Sequence, residues 1–139
     1  MPSDISGGYS DTPLAKKLNL RDGQRAWFWG MPDSVEEEIA EYALDLIFVA
    51  EPEEGVDAAH IFVTEREALA GILSRLRAAL VSDGQVWVSW PKKGSGAEGT
   101  IDEHDVRAAG LDLGFVDTKK CAVDEVWSGL KLVIRKELR

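Results

Sequence analysis

The hydrophobic pattern switches between two periods along this chain, and each switch marks the border of an element. Val86, Trp87, Val88, Ser89 and Trp90 form a β-branched and aromatic run, too short for a helix and preceded by the turn signal Ser82-Asp83-Gly84. Apolar and polar residues do not alternate cleanly within it, which predicts a strand covered on both faces, as in a parallel sheet between helices. Pro91 has no N–H to extend a ladder, so the strand ends there and Lys92 and Lys93 emerge at its carboxyl end. Leu69, Ile72, Leu73, Leu76 and Leu80 instead recur on one helical stripe, behind a Thr64/Glu67 capping box. With a further strand predicted over residues 59–63, the stretch from Ala59 to Trp90 is a β-α-β crossover.

The rest of the chain divides in the same way. Thr12-Pro13 places a threonine cap before a proline at the first helical position and predicts a short helix to about residue 18, with Leu14 and Leu18 on one side. A strand over residues 24–29 is closed by Gly30, Met31 and Pro32. Ser34 and Glu37 fit a capping box and start a helix near Val35. Its spacing then gives way to Ile47-Phe48-Val49, a strand at about residues 46–50. Thr100 and Glu103 cap another helix, running to about Ala109 with Gly110 as its stop. The strand-like runs 115–123 and 130–135, joined through Asp124 and its neighbours, predict an antiparallel hairpin at the sheet edge. The fold class is therefore α/β: a three-layer, Rossmann-like domain with a mainly parallel sheet of about six strands and a C-terminal antiparallel hairpin. Residues 1–139 form one domain, with 1–23 an arm and short helix that Gly7 and Gly8 leave flexible at its start.

Charge narrows the functional classes. The net charge of -9 argues against phosphate-backbone binding as the main activity, so no nucleic acid is expected. No lysine or arginine lies between Arg25 and Arg66, while Glu36, Glu37, Glu38, Glu41, Asp45, Glu51, Glu53 and Glu54 all fall there. One flank is thus strongly acidic, either as a solvated helix face with an acidic loop or as a docking surface for a basic partner. No apolar run approaches the roughly 18 residues of a membrane-spanning helix, so no membrane partner is expected. The N-terminus has neither a basic start nor an apolar core, which predicts a cytoplasmic protein. Cys121 is the single cysteine; it excludes an internal disulfide and is expected to be a buried structural thiol.

A strand-helix-strand series that closes with a long edge hairpin resembles the class I methyltransferase fold, truncated by one of its usual seven strands. That resemblance implies a glycine-rich motif after the first strand and an acidic residue at the end of the second, which holds the ribose of S-adenosylmethionine. Here Phe28-Trp29-Gly30-Met31-Pro32-Asp33 carries one glycine and a proline at the first position, so the usual cradle is not present, while Glu51 matches the acidic position. The chain also resembles, along nearly its whole length, a family of small bacterial proteins of unknown function. The matching segments are Gly8-Tyr9-Ser10 with Thr12-Pro13-Leu14-Ala15-Lys16-Lys17-Leu18, then Trp87-Val88-Ser89-Trp90-Pro91-Lys92-Lys93, and Cys121-Ala122-Val123-Asp124-Glu125 with Trp127-Ser128-Gly129-Leu130-Lys131. This second resemblance implies no activity.

If the parallel strands all point one way, the Met31 loop, Glu51, Thr64, the Lys92-Lys93 loop and the hairpin tip from Asp124 to Ser128 share one rim. Such a rim suits an anionic small molecule or a protein partner. Lys92 and Lys93 would supply the charge, Asp124 and Glu125 would orient hydroxyls or the lysines, and Trp127, Ser128 and Glu51 would complete the site. In the alternative the lysines solvate a loop and the acids close a hairpin. No catalytic residue, metal or cofactor is expected. His60 and His104 are far apart, the loop of Gly94, Gly96 and Gly99 lacks the lysine-serine ending of a phosphate-binding loop, and no serine sits in a nucleophile elbow. The reading is a non-catalytic ligand- or protein-binding domain; the alternative is a divergent S-adenosylmethionine-dependent methyltransferase.

Overall fold

The computed structural model describes residues 12–96 and 99–139. The expectations for Gly7, Gly8 and the Gly8-Tyr9-Ser10 segment lie outside the described residues. In chain order the elements are α1 (Leu14–Lys17), β1 (Arg25–Trp29), α2 (Asp33–Ala40), β2 (Ile47–Phe48), a 3₁₀ turn (Pro52–Glu54), β3 (Val56–Phe62), α3 (Arg66–Ala79), β4 (Leu80–Pro91), α4 (Glu103–Asp112), β5 (Phe115–Ala122), β6 (Trp127–Ile134) and a second 3₁₀ turn (Lys136–Leu138). The six strands form one sheet in the order β2-β1-β3-β4-β6-β5. β1 pairs parallel with β2 and β3, and β3 with β4, whereas β6 runs antiparallel to both β4 and β5. The carboxyl ends of β1 to β5 therefore lie on one border, together with the β5–β6 turn.

The alternation of side chains along β4 explains the three layers. Val86, Val88 and Trp90 point to one face, where Leu69, Leu73 and Leu76 of α3 and Val106 of α4 cover them. Trp87 points to the other, beneath Leu14 and Leu18 of the α1 segment and Val35 and Ile39 of α2. Each such side chain taken fully out of water contributes about 1.5–3 kcal/mol before ordering costs. The polar atoms on the second face are also satisfied: the Leu18 carbonyl accepts from Gln85 Nε2 at 2.8 Å and from Trp87 Nε1 at 2.9 Å, which fastens the N-terminal segment to the central strand. Among the described residues no helix is long and apolar enough to cross a membrane.

Several local expectations are corrected. α2 begins at Asp33 with Pro32 as its cap, because Pro32 has the extended backbone of a cap residue and its carbonyl accepts from Val35 and Glu36; Ser34 is already inside the helix. No side chain of its own segment caps α3, so the Thr64/Glu67 box does not form. The first amide of α3, at Arg66, donates instead to Thr100 Oγ1 at 2.9 Å, a cap delivered from a distant part of the chain. That use of Thr100 moves the start of α4, whose capping box is Asp102 with Asp105 in place of Thr100 with Glu103. Gly110 is buried within α4, where a Cβ would meet Leu132 at 3.2 Å, and the stop is Gly114 at φ +90°. β2 is shorter than expected, β3 starts earlier, and β6 starts at Trp127, ahead of Leu130. Ser82-Asp83-Gly84 forms an irregularity within β4, not a turn before it, with the register slipping between Val56 and Ala58 of β3.

Candidate functional site

The border at the strand carboxyl ends is built around the end of β4. Trp90 pairs with Ser128 and Pro91 with Trp127 across the β4–β6 ladder, so the next residue, Lys92, faces the β5–β6 turn directly. Its amide donates to the Val126 carbonyl at 2.7 Å and its ammonium to the Asp124 carbonyl at 2.6 Å. The Asp124 carboxylate is turned inward: Oδ1 accepts from the amides of Val126 and Trp127, both at 2.8 Å, and holds the turn as an Asx motif. Lys92 and the hairpin tip thus meet, because β6 pairs with β4 on the border the parallel layout shares. Asp124 acts as a tip-closing residue, the alternative left open by its position.

A cleft of about 420 Å³ opens beside this junction, between the end of β4, the first turn of α3 and the residues leading into α4. Lys92, Lys93 and Ser128 line it, together with Arg66, Thr100 and Lys120, which the sequence reading did not select. The cations differ in their engagement. Arg66 reaches Asp105 at 3.4 Å, and Lys120 pairs with Glu103, which also holds Arg107. Those two cations hold the Glu103 carboxyl below the usual carboxylate range, Lys120 having the larger effect. The Asp105 amide does the same for Asp102. The carboxylates of the cleft are therefore used by the α4 cap and its ion pairs. Among the described residues the Lys92 side chain has only a neutral carbonyl as partner, Lys93 is exposed, and neither is within ion-pair distance of a carboxylate.

Three expected residues stand elsewhere. Alternation along β6 puts Trp127 on the face opposite Ser128, half-buried edge-on against Phe62 with ring centroids 5.0 Å apart. Glu125 is exposed on the tip, outside the cleft. Glu51 is the clear correction: its carboxylate binds Arg75 at 2.9 Å, beside Glu53. Arg75 is nine positions into α3, about 13 Å along the helix from the strand-end border, and its guanidinium lies over the Trp27 ring at 5.7 Å. Glu51 leaves the border because the chain must cross back after β2 to start β3, and the 3₁₀ turn that begins this return carries it against α3.

Two further groups, His60 and Cys121, are buried. His60 Nε2 lies 2.7 Å from Ser89 Oγ, but the ring is sealed in the sheet and stacked on Phe62, and burial pushes its pKa down to about 3. Burial likewise pushes the Cys121 thiol up, against the nearby lysines, so it stays protonated. Among the described residues no group of three histidine, cysteine, aspartate or glutamate side chains is placed to hold a metal ion.

The chain belongs to the family described as "Protein of unknown function (DUF3052)", whose model matches residues 15–136. No curated protein matches the sequence. Solved structures similar in fold are methyltransferases. An S-adenosylmethionine-dependent methyltransferase from Aquifex aeolicus has a TM-score of 0.62 at 14% identity, covering 87% of this chain and 88% of that one. The magnesium protoporphyrin IX methyltransferase of Synechocystis PCC 6803 with bound SAH gives 0.54 at 14% identity, covering 87% and 78%. A putative type 11 methyltransferase from Sulfolobus solfataricus gives 0.52 at 19% identity, covering 81% and 72%. The mixed sheet with its C-terminal hairpin is thus a methyltransferase-like Rossmann fold.

The residues at the corresponding strand ends do not fit S-adenosylmethionine. Gly30, at φ +68°, is the single glycine after β1, and a Cβ there would meet the Phe62 carbonyl at 2.9 Å, so its smallness serves the packing of β1 on β3. Met31 packs into the core below, and Glu51 is committed to Arg75.

Proposed function

We propose that this member of the family is a binding domain without transfer chemistry of its own, which takes an anionic small molecule in the cleft at the end of β4. The observation that supports this reading is the pairing pattern among the described residues: the carboxylates lining the cleft are used by the α4 cap, Arg66, Arg107 and Lys120, while Lys92 and Lys93 line it without a carboxylate partner. A carboxylate or phosphate entering there meets two lysines over a floor of Trp90 and Pro91, with the Ser128 hydroxyl able to donate. A panel of phosphorylated and carboxylated metabolites, read by thermal shift and then by calorimetry, tests it. At least one anion should stabilise the wild-type chain, and the Lys92→Ala/Lys93→Ala variant should bind it at least tenfold more weakly; equal affinity in the variant removes the proposal.

Methyl transfer is the second reading, supported by fold likeness to methyltransferases, one of them solved both with SAM and with SAH bound. Calorimetry with S-adenosylmethionine and S-adenosylhomocysteine separates the two readings. Saturable heat at micromolar ligand would favour transfer chemistry, and no heat at high micromolar ligand would count against it.

A further inference from the structure

The two edges of the sheet are treated differently. β5, on one side, carries Lys119 and Lys120 at exposed positions, the usual defence of an open edge against pairing with another chain. β2, on the other side, has no such guard: Ile47 is 55% and Phe48 60% exposed, and neither neighbour in sequence is basic. The Ile47 and Val49 amides bond to Gln24 and Ala26 of the β1 segment, so alternation turns the Phe48 amide away from β1, toward solvent. Beside it runs an apolar groove of about 190 Å³ between α2 and β2, lined by Phe28, Ile39, Leu44, Leu46 and Phe48, with Glu36 as its charged member.

We infer that β2 is a docking edge for an extended, basic segment of a partner protein, which adds a strand beside Phe48 and lays apolar side chains along the groove. Charge decides the occupant. Glu36 lines the groove, Glu37 follows it on α2 and Asp45 precedes β2, all three exposed, and no lysine or arginine lies in α2, β2 or the segment between them. A second copy of this chain pairing edge to edge would bring two such flanks together, in a protein whose net charge is already -9. A strand of alternating apolar and basic residues matches all three features: main-chain groups for the open edge, apolar side chains for the groove, cations for the rim. This surface is separate from the strand-end cleft and the inference does not depend on the anion reading.

The test uses the whole chain, isotope-labelled, with a short capped peptide of alternating valine and lysine, and its glutamate counterpart as control. The lysine peptide should move the amide resonances of residues 46–49 at low salt, and the glutamate peptide should not. Phe48→Ser should weaken binding about tenfold or more. So should Glu36→Gln with Asp45→Asn, a pair of exposed changes that leaves the apolar edge intact. Equal binding of both peptides, no binding of either, or shifts confined to residues away from β2 and the groove would overturn the inference. A wild-type dimer in sedimentation that Phe48→Ser dissociates would also overturn it, by showing that a second copy occupies the edge.

Discussion

The His60–Ser89 pair predicts a steep acid sensitivity that one substitution removes. His60 is 2% exposed on β3, stacked on Phe62 at 4.5 Å, with burial alone lowering its pKa from 6.5 to about 3. The unfolded chain takes up this proton as pH falls through about 6.5, whereas the folded chain refuses it until about 3. Between those values the unfolded state binds more protons, so stability rises with pH and is lost as pH falls. At about 1.4 kcal/mol per pH unit, the loss from this one group is about 3 kcal/mol at pH 4.5, against a typical total of about 5–15 kcal/mol. His60→Gln keeps a partner for Ser89 Oγ and cannot titrate. It should cost about 1–3 kcal/mol at pH 7.5 through lost stacking and imperfect fit. Urea unfolding of both proteins at pH 7.5 and pH 4.5 gives a double difference in which the carboxylates common to both cancel. The wild-type chain should lose about 3 kcal/mol more than the variant between the two pH values; the same loss in both would refute the reasoning.

Thr100→Ala should lower stability by about 1 kcal/mol in urea unfolding, since it removes the cap on the Arg66 amide, and Thr100→Ser should restore most of it. Gly30→Ala sets a left-handed backbone against a 2.9 Å approach to the Phe62 carbonyl and should cost about 1–3 kcal/mol by the same measurement. Cys121 should react slowly with a thiol reagent in the folded chain and quickly in urea; rapid native labelling would contradict a buried, protonated thiol.

What the sequence disclosed tracks how local the governing forces are. The β3-α3-β4 crossover and the antiparallel hairpin follow from side-chain period and from Pro91, features carried by neighbouring residues. Helix starts were less legible. Threonine and serine at Thr64, Thr100 and Ser34 have the right chemistry for caps, but Thr100 caps a helix far back in the chain, and a proline takes the cap of α2. That Lys92 and the hairpin tip share one border was readable from strand direction; their contact comes from the pairing of β6 with β4. The positions of Glu51 and Trp127 were not readable. Glu51 is drawn to Arg75 by a return path after a β2 of only two residues, and Trp127 is sent to the far face by a β6 that starts earlier than its apolar run. Arg66 and Lys120 entered the cleft through tertiary placement; the one signal for Lys120 was the hairpin register, which sets it across from Leu130 on the α4 face.

The most direct test of the strand-end cleft is a heteronuclear NMR titration of the whole chain with inorganic phosphate, repeated on Lys93→Ala, which removes an exposed charge and leaves the Lys92 tie to Asp124 in place. Saturable shifts at the amides of Lys92, Lys93, Gly99 and Thr100, diminished in Lys93→Ala, are the predicted result. Shifts elsewhere, or a titration curve that Lys93→Ala leaves untouched, would contradict it.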